Sequence, residues 1–171
     1  MATLSADQAS AILDEGHLAI RGIVDRLTTA RLEQPRTIGG GDWSARDLLG
    51  HLTSWEVHAL EALEAWRAGR TAPVLRDLRT LGLTTLNART AETDRRRTTA
   101  EVIARSDEIH RRLVDAIRAL DETAWSEPPT PRSRRSTGAI LGSILGGPGG
   151  SFRHAWAHLP DLERYSTSAA G

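Results

Sequence analysis

Six histidines stand in a chain of 171 residues that has no cysteine: His17, His51, His58, His110, His154 and His158. Neutral imidazole is the commonest side-chain metal ligand, and with thiolate absent any bound ion must be held by imidazole and carboxylate. His154 and His158 are four residues apart. On a helix that spacing projects both rings from one face, one turn apart. Two nitrogens so placed can reach one ion at about 2.0–2.1 Å. The other four histidines carry competing readings. His17 falls on an apolar helical stripe and His110 lies beside Ile103, Val114 and Ile117, the pattern of core or rim histidines. His58 follows His51 by seven residues and shares its face, as a pocket wall, a substitute ligand or a surface residue. Periodicity by itself does not choose His51 over these.

Helices must position such side chains, and helix signals dominate the chain. Ser5 and Gln8 form a capping box ahead of a stripe of Leu13, His17, Ile20, Val24 and Leu27. Pro35 and Gly39-Gly40-Gly41 mark a loop. Ser44 and Asp47 open a second helix through Leu48, Leu52, Trp55, Ala59 and Leu63, closed by Gly69 and Pro73. From Val74 to Arg97 the leucines at 78, 81, 83 and 86 predict one or two short helical pieces inside a long crossover. Thr98 and Glu101 start a third patterned helix with Val102, Ile109, Leu113, Ile117 and Leu120, ending near Asp121. A proline-rich, arginine-bearing loop from Glu127 to Ser136 and a short apolar turn or helix at Ile140–Leu145 follow. After Gly146–Gly150, Ser151 can cap a last helix carrying Phe152, His154, Trp156 and His158. Pro160 predicts a kink or pause in that helix. The expected architecture is all-α: one four-helix bundle over residues 1–165 with a long crossover before helix three, then a frayed polar tail over 166–171.

Composition removes several function classes. Charges balance at 22 against 22, which argues against a protein built mainly to bind nucleic acid. Arginine supplies every positive side chain, so lysine Schiff-base chemistry is excluded. The runs Arg95-Arg96-Arg97 and Arg132, Arg134, Arg135 read as solvated loop charge. No apolar run approaches a membrane span and the start lacks a basic region followed by an apolar core, so a soluble cytoplasmic protein is expected. Five tryptophans stand against one tyrosine and one phenylalanine. Trp43, Trp55 and Trp156 lie near histidines, as pocket walls or as core anchors.

Two segments resemble a known family. Gly41-Asp42-Trp43-Ser44-Ala45-Arg46-Asp47-Leu48-Leu49-Gly50-His51-Leu52 resembles the start of helix two in the DinB/YfiT-like superfamily, where a Trp-Ser-x-x-Asp capping box leads into a histidine one turn later. Phe152-Arg153-His154-Ala155-Trp156-Ala157-His158-Leu159-Pro160-Asp161-Leu162 resembles that family's last helix, which supplies two histidines at this spacing. The His-Leu-Pro-Asp ending and the Leu86-Asn87 step look closest to the ClbS/DfsB branch. The resemblance implies metal ligands at His51, His154 and His158, with an open position for water or substrate. Asp47 is then either a carboxylate that orients a ligand imidazole or simply the capping acid. Trp55, Glu56, His58, Asn87 and Trp156 are candidates for the pocket lining. Relatives in this branch often carry an aromatic after the first histidine of the pair and an acid before the second; here Ala155 and Ala157 stand there.

What the resemblance implies for function is a divalent-metal protein, with Zn, Ni or Fe as the ion, acting on a reactive small molecule such as a DNA-damaging natural product. Hydrolysis and thiol transfer are the two reaction types, and with no cysteine in the chain a low-molecular-weight thiol must come from outside. Sequestration of the small molecule without turnover is the alternative. Many relatives form homodimers, and no nucleic-acid or membrane partner is expected.

Overall fold

Three capping boxes read from the sequence start three long helices. Ser5, Ser44 and Thr98 each accept the N–H three residues on, and Gln8, Asp47 and Glu101 bond back to the cap N–H. Each box satisfies two donors that the helix cannot pair internally. The computed structural model describes residues 4–39 and 41–168. Along them run α1 (Ala6–Val24), α2 (Thr29–Leu32), α3 (Ala45–Arg67), α4 (Pro73–Asp94), α5 (Thr99–Arg118), α6 (Glu122–Ser126), α7 (Thr137–Ile144) and α8 (His154–Thr167). Among the described residues there is no strand, only the isolated bridges Ile38 to Trp43 and Gly147 to Gly150. None of these helices is long and apolar enough to cross a membrane.

Helix α3 packs on α4, α5, α7 and α8, while α1 packs on α5 and α8. Two apolar clusters result. One gathers Leu13, Trp55, Leu63, Leu113, Ile117 and Leu141; the other gathers Ile20, Val24, Leu32, Leu48, Val102 and Leu162. Each fully buried leucine contributes about 1.5–3 kcal/mol. His51 sits at the seam, one turn after Leu48 of the second cluster and one turn before Trp55 of the first.

Some local expectations hold and others need correcting. The region before α5 carries the two helical pieces expected, labelled together α4, which meet at Gly82 (φ 77°, ψ 165°). Only glycine occupies that backbone region without strain, so the helix bends there and resumes. The single turn of α6, capped by Asp121, follows α5 over residues to which the sequence pattern assigned no element. Ser151 does not cap α8. The cap position is Arg153 without a side-chain bond, and the His154 N–H donates to the Leu145 carbonyl at 3.1 Å instead. Helix α8 continues through Pro160 to Thr167, taking in the first residues of the expected tail; residues 169–171 lie outside the described residues.

Contact between α1 and α8 is close. A Cβ at Gly16 would lie 3.1 Å from both Ala155 Cβ and Trp156 Nε1, and the Trp156 N–H donates to the Ile12 carbonyl at 3.3 Å. Between the helices, His110 of α5 bonds Glu56 of α3 through Nδ1 (2.9 Å) and Asp14 of α1 through Nε2 (3.0 Å). His17 stacks on its ring at 4.0 Å and bonds Asp107. Burial opposes a charge on His110, but the bonds and charges of Glu56 and then Asp14 outweigh it and raise its pKa. These two histidines are thus hydrogen-bonded packing residues, one of the readings their stripes allowed.

The imidazole ties three helices through carboxylates that are costly to leave unpaired. His110→Leu is expected to lower unfolding free energy by about 3 kcal/mol, measured by urea denaturation. A loss below about 1 kcal/mol, the size of an exposed pair, would contradict the role given to it.

Candidate metal centre

The Ser44 cap sets the first turn of α3, so His51 points inward one turn after Asp47. His154 is the first residue of α8 and His158 follows one turn later. The two helices bring the rings together. His51 Nε2 and His154 Nε2 are 3.1 Å apart, and one ligand nitrogen from each of the three histidines lies within 4.8 Å of the others. Ring centroids are 4.9 Å apart for His51 and His154, 5.3 Å for His51 and His158, and 5.1 Å for the pair on α8. Trp43 tilts over His51 at 4.7 Å, and Trp55 presents its edge to His154 at 5.9 Å.

Burial keeps all three rings neutral. Desolvation, with the neighbouring imidazoles adding to it, lowers His51 to about 2 and His154 to about 4. His158 is also lowered by burial, against the pull of the Asp161 carboxylate. Neutral imidazole is the form that binds a metal. Nitrogens bound tetrahedrally at about 2.0–2.1 Å would be about 3.3 Å apart, close to the spacing of the His51–His154 pair. The nitrogens face each other without a carboxylate between them, and His51 Nδ1 is buried with no partner. The donor set fits a divalent ion of the zinc type.

On the open side lies a cavity of about 620 Å³. Trp55 and Asn87 line it, together with Trp43, Leu78, Leu83 and Asp161. The other candidates fall elsewhere. Asp47 bonds the Ser44 N–H and hydroxyl, so its carboxylate serves the cap and not an imidazole. Glu56 faces His110 on the opposite side of α3. His58 bonds Glu61 and lines a separate groove with Arg89 and Asp94. Trp156 points to α1. Sequence reasoning did not single out Asp161, although it stands three residues after His158, a spacing that shares a helix face. Leu78 and Leu83 flank the bend at Gly82, which pattern alone did not reveal.

A helical chain with one buried and two half-buried imidazoles facing a cavity defines a protein whose histidine cluster can hold a metal ion. The chain belongs to the DinB superfamily, whose sequence profile matches residues 12–147. That match takes in His51 and ends before His154 and His158. No curated protein and no solved structure matches the chain.

An unfolded histidine takes up its proton near pH 6.5, whereas folded His51 stays neutral far below that. Between pH 7 and 5 the unfolded metal-free chain therefore binds protons that the folded site refuses, and stability falls with pH. His51 accounts for about 2 kcal/mol of that fall. His51→Leu removes this contribution, so the stability difference between wild type and variant should shift in favour of the variant by about that amount on acidification. A difference that stays flat with pH would rule the desolvated site out.

Proposed function

We propose that this chain is a metal-dependent detoxification or self-resistance protein of the ClbS/DfsB branch, acting on a reactive small molecule by hydrolysis or thiol transfer. The observation that carries the reading is the convergence of three neutral imidazoles from α3 and α8 at the wall of a cavity of about 620 Å³. We read α1, α3, α5 and α8 as the four helices of the bundle, since α1 meets α5, α5 meets α3, α3 meets α8 and α8 meets α1.

In this reading His51, His154 and His158 hold a divalent Zn, Ni or Fe ion. Three protein ligands leave room for an outside ligand, the arrangement of a catalytic more than a structural site. When bound, such an ion supplies Lewis-acid polarisation and makes water or a thiol nucleophilic at neutral pH. The chain itself supplies neither cysteine nor lysine, so the thiol of a transfer reaction would be a low-molecular-weight one. Trp43 and Trp55 offer faces and edges to a large, flat ligand, and Leu78 and Leu83 extend the apolar wall. Asp161 is the carboxylate in the cavity, placed to accept a proton or a hydrogen bond from the ligand.

One observation favours a second reading, sequestration without turnover. Ala157 lines the cavity at a position where the branch often carries an acid. Two measurements separate the readings. Metal analysis of purified protein should give about one divalent ion per chain, and His51→Ala or His154→Ala should weaken its binding by more than about 100-fold. Cells producing the protein should survive a DNA-damaging electrophilic natural product, and His51→Ala should abolish that protection. Stoichiometric metal absent from wild type, together with full protection by His51→Ala, would sink the metalloenzyme reading and leave sequestration.

A further inference from the structure

Behind the metal ligands lies a second, smaller space. This inner cavity measures about 30 Å³ and is lined mostly by apolar groups such as Leu52 and Phe152. Glu56, His17, Thr53, Ser106 and His154 also face it. Among the described residues His154 alone lines both this space and the outer cavity, so it stands between them. A purely apolar void of this size would stay dry. One with several polar partners and room for one probe-sized molecule holds an ordered water.

Hydrogen bonding around the space is uneven. The His154 Nε2 edge faces His51. Among the described residues its other ring nitrogen bonds no protein group. Glu56 Oε1 accepts from His110 Nδ1, the one protein partner of that carboxylate among the described residues. Asp14 clamps the far side of His110 and is itself held by Arg118 at 2.8 Å. The charged groups around this chain are Arg118 and Asp14, with Asp107 and Arg21 next to His17.

We propose that one enclosed water joins the Glu56 carboxylate to His154, so that the chain Asp14–His110–Glu56 positions a metal ligand from behind. Metal-ligating histidines nearly always donate their second ring N–H to a carboxylate, a carbonyl or a water, which fixes the tautomer and the ring orientation. Here Asp47 is spent on the helix cap, and His154 receives that support through the cavity. Glu56 is a positioning residue, since it lines only the inner space and has no access to the ligand side. The support of metal binding rests on the metalloprotein reading above; the water bridge itself does not.

Three measurements test it. A high-resolution crystal structure of the full chain should show one water within hydrogen-bond distance of both Glu56 and His154, and a dry cavity overturns the proposal. In the metal-free protein, the ¹⁵N shifts of the His154 ring should report a changed tautomer balance in Glu56→Leu. Glu56→Gln, whose amide can still bond the water, should keep the wild-type pattern. Shifts unchanged in Glu56→Leu overturn the bridge. Competition against a chromophoric chelator should then show zinc binding weakened about 10–100-fold in Glu56→Leu, with Glu56→Gln near wild type. Should Glu56→Leu fail to fold, the wild-type water still decides. A wild type that binds no zinc defeats the metal reading, and the first two measurements continue to judge the bridge.

Discussion

Everything at the site depends on where α8 lies along α1 and α3. The absence of a side chain at Gly16 lets Ala155 and Trp156 approach α1 closely, and the Trp156 N–H bond to Ile12 holds that register. Its first turn is anchored by the His154 N–H on the Leu145 carbonyl. With one side of α8 committed to α1, His154 and His158 turn toward α3, where His51 waits. A larger residue at Gly16 would push α8 outward by a fraction of an ångström to relieve a 3.1 Å contact. Displacement on that scale matters to a metal site, whose ligand distances vary by only about 0.2 Å.

Histidines in this chain illustrate how one residue type is shifted in opposite directions within a single structure. His51 and His154 lie among tryptophans and other imidazoles, with no carboxylate bonded to either ring, so burial drives off the proton. His110 is also buried, yet it sits between two carboxylates that favour its charged form. Desolvation penalises charge in both places, and only in the second do partners overcome it. The cluster of three imidazoles is suited to a cation, and His110 with its carboxylates to joining helices. A wall only a residue thick, His154, separates the open cavity from the space that Glu56 faces.

Much of the local structure was legible because it rests on short-range rules. Capping boxes and apolar stripes placed α1, α3 and α5, and the four-residue spacing put His154 and His158 on one face. Elements governed by less local physics were misread. The exact break in α4 was one, since Gly82 takes a backbone geometry that only glycine adopts without strain, and the leucine pattern did not mark it. Ser151 looked like a cap, but Phe152 adopts a positive φ and carries the chain past it. Trp156 and Glu56 stood close in sequence to the clustered histidines and face away from them, since adjacent positions on a helix diverge by about 100°.

Residue pattern alone established that the chain is helical, that a metal site would have to be built from imidazole and carboxylate, and that two imidazoles share a helix face. It also carried the Trp43-to-Leu52 segment that points to the DinB superfamily, a family match that reaches His51 and ends before α8. That resemblance named His51 as the third imidazole; it took the folded chain to show α8 presenting its histidine face to α3 and His17, His58 and His110 bonded elsewhere. Helical periodicity ranks positions around one axis and says nothing of the distance between two axes. That distance is set by close packing at Gly16 and by the cores on either side of His51, contacts between residues more than a hundred positions apart.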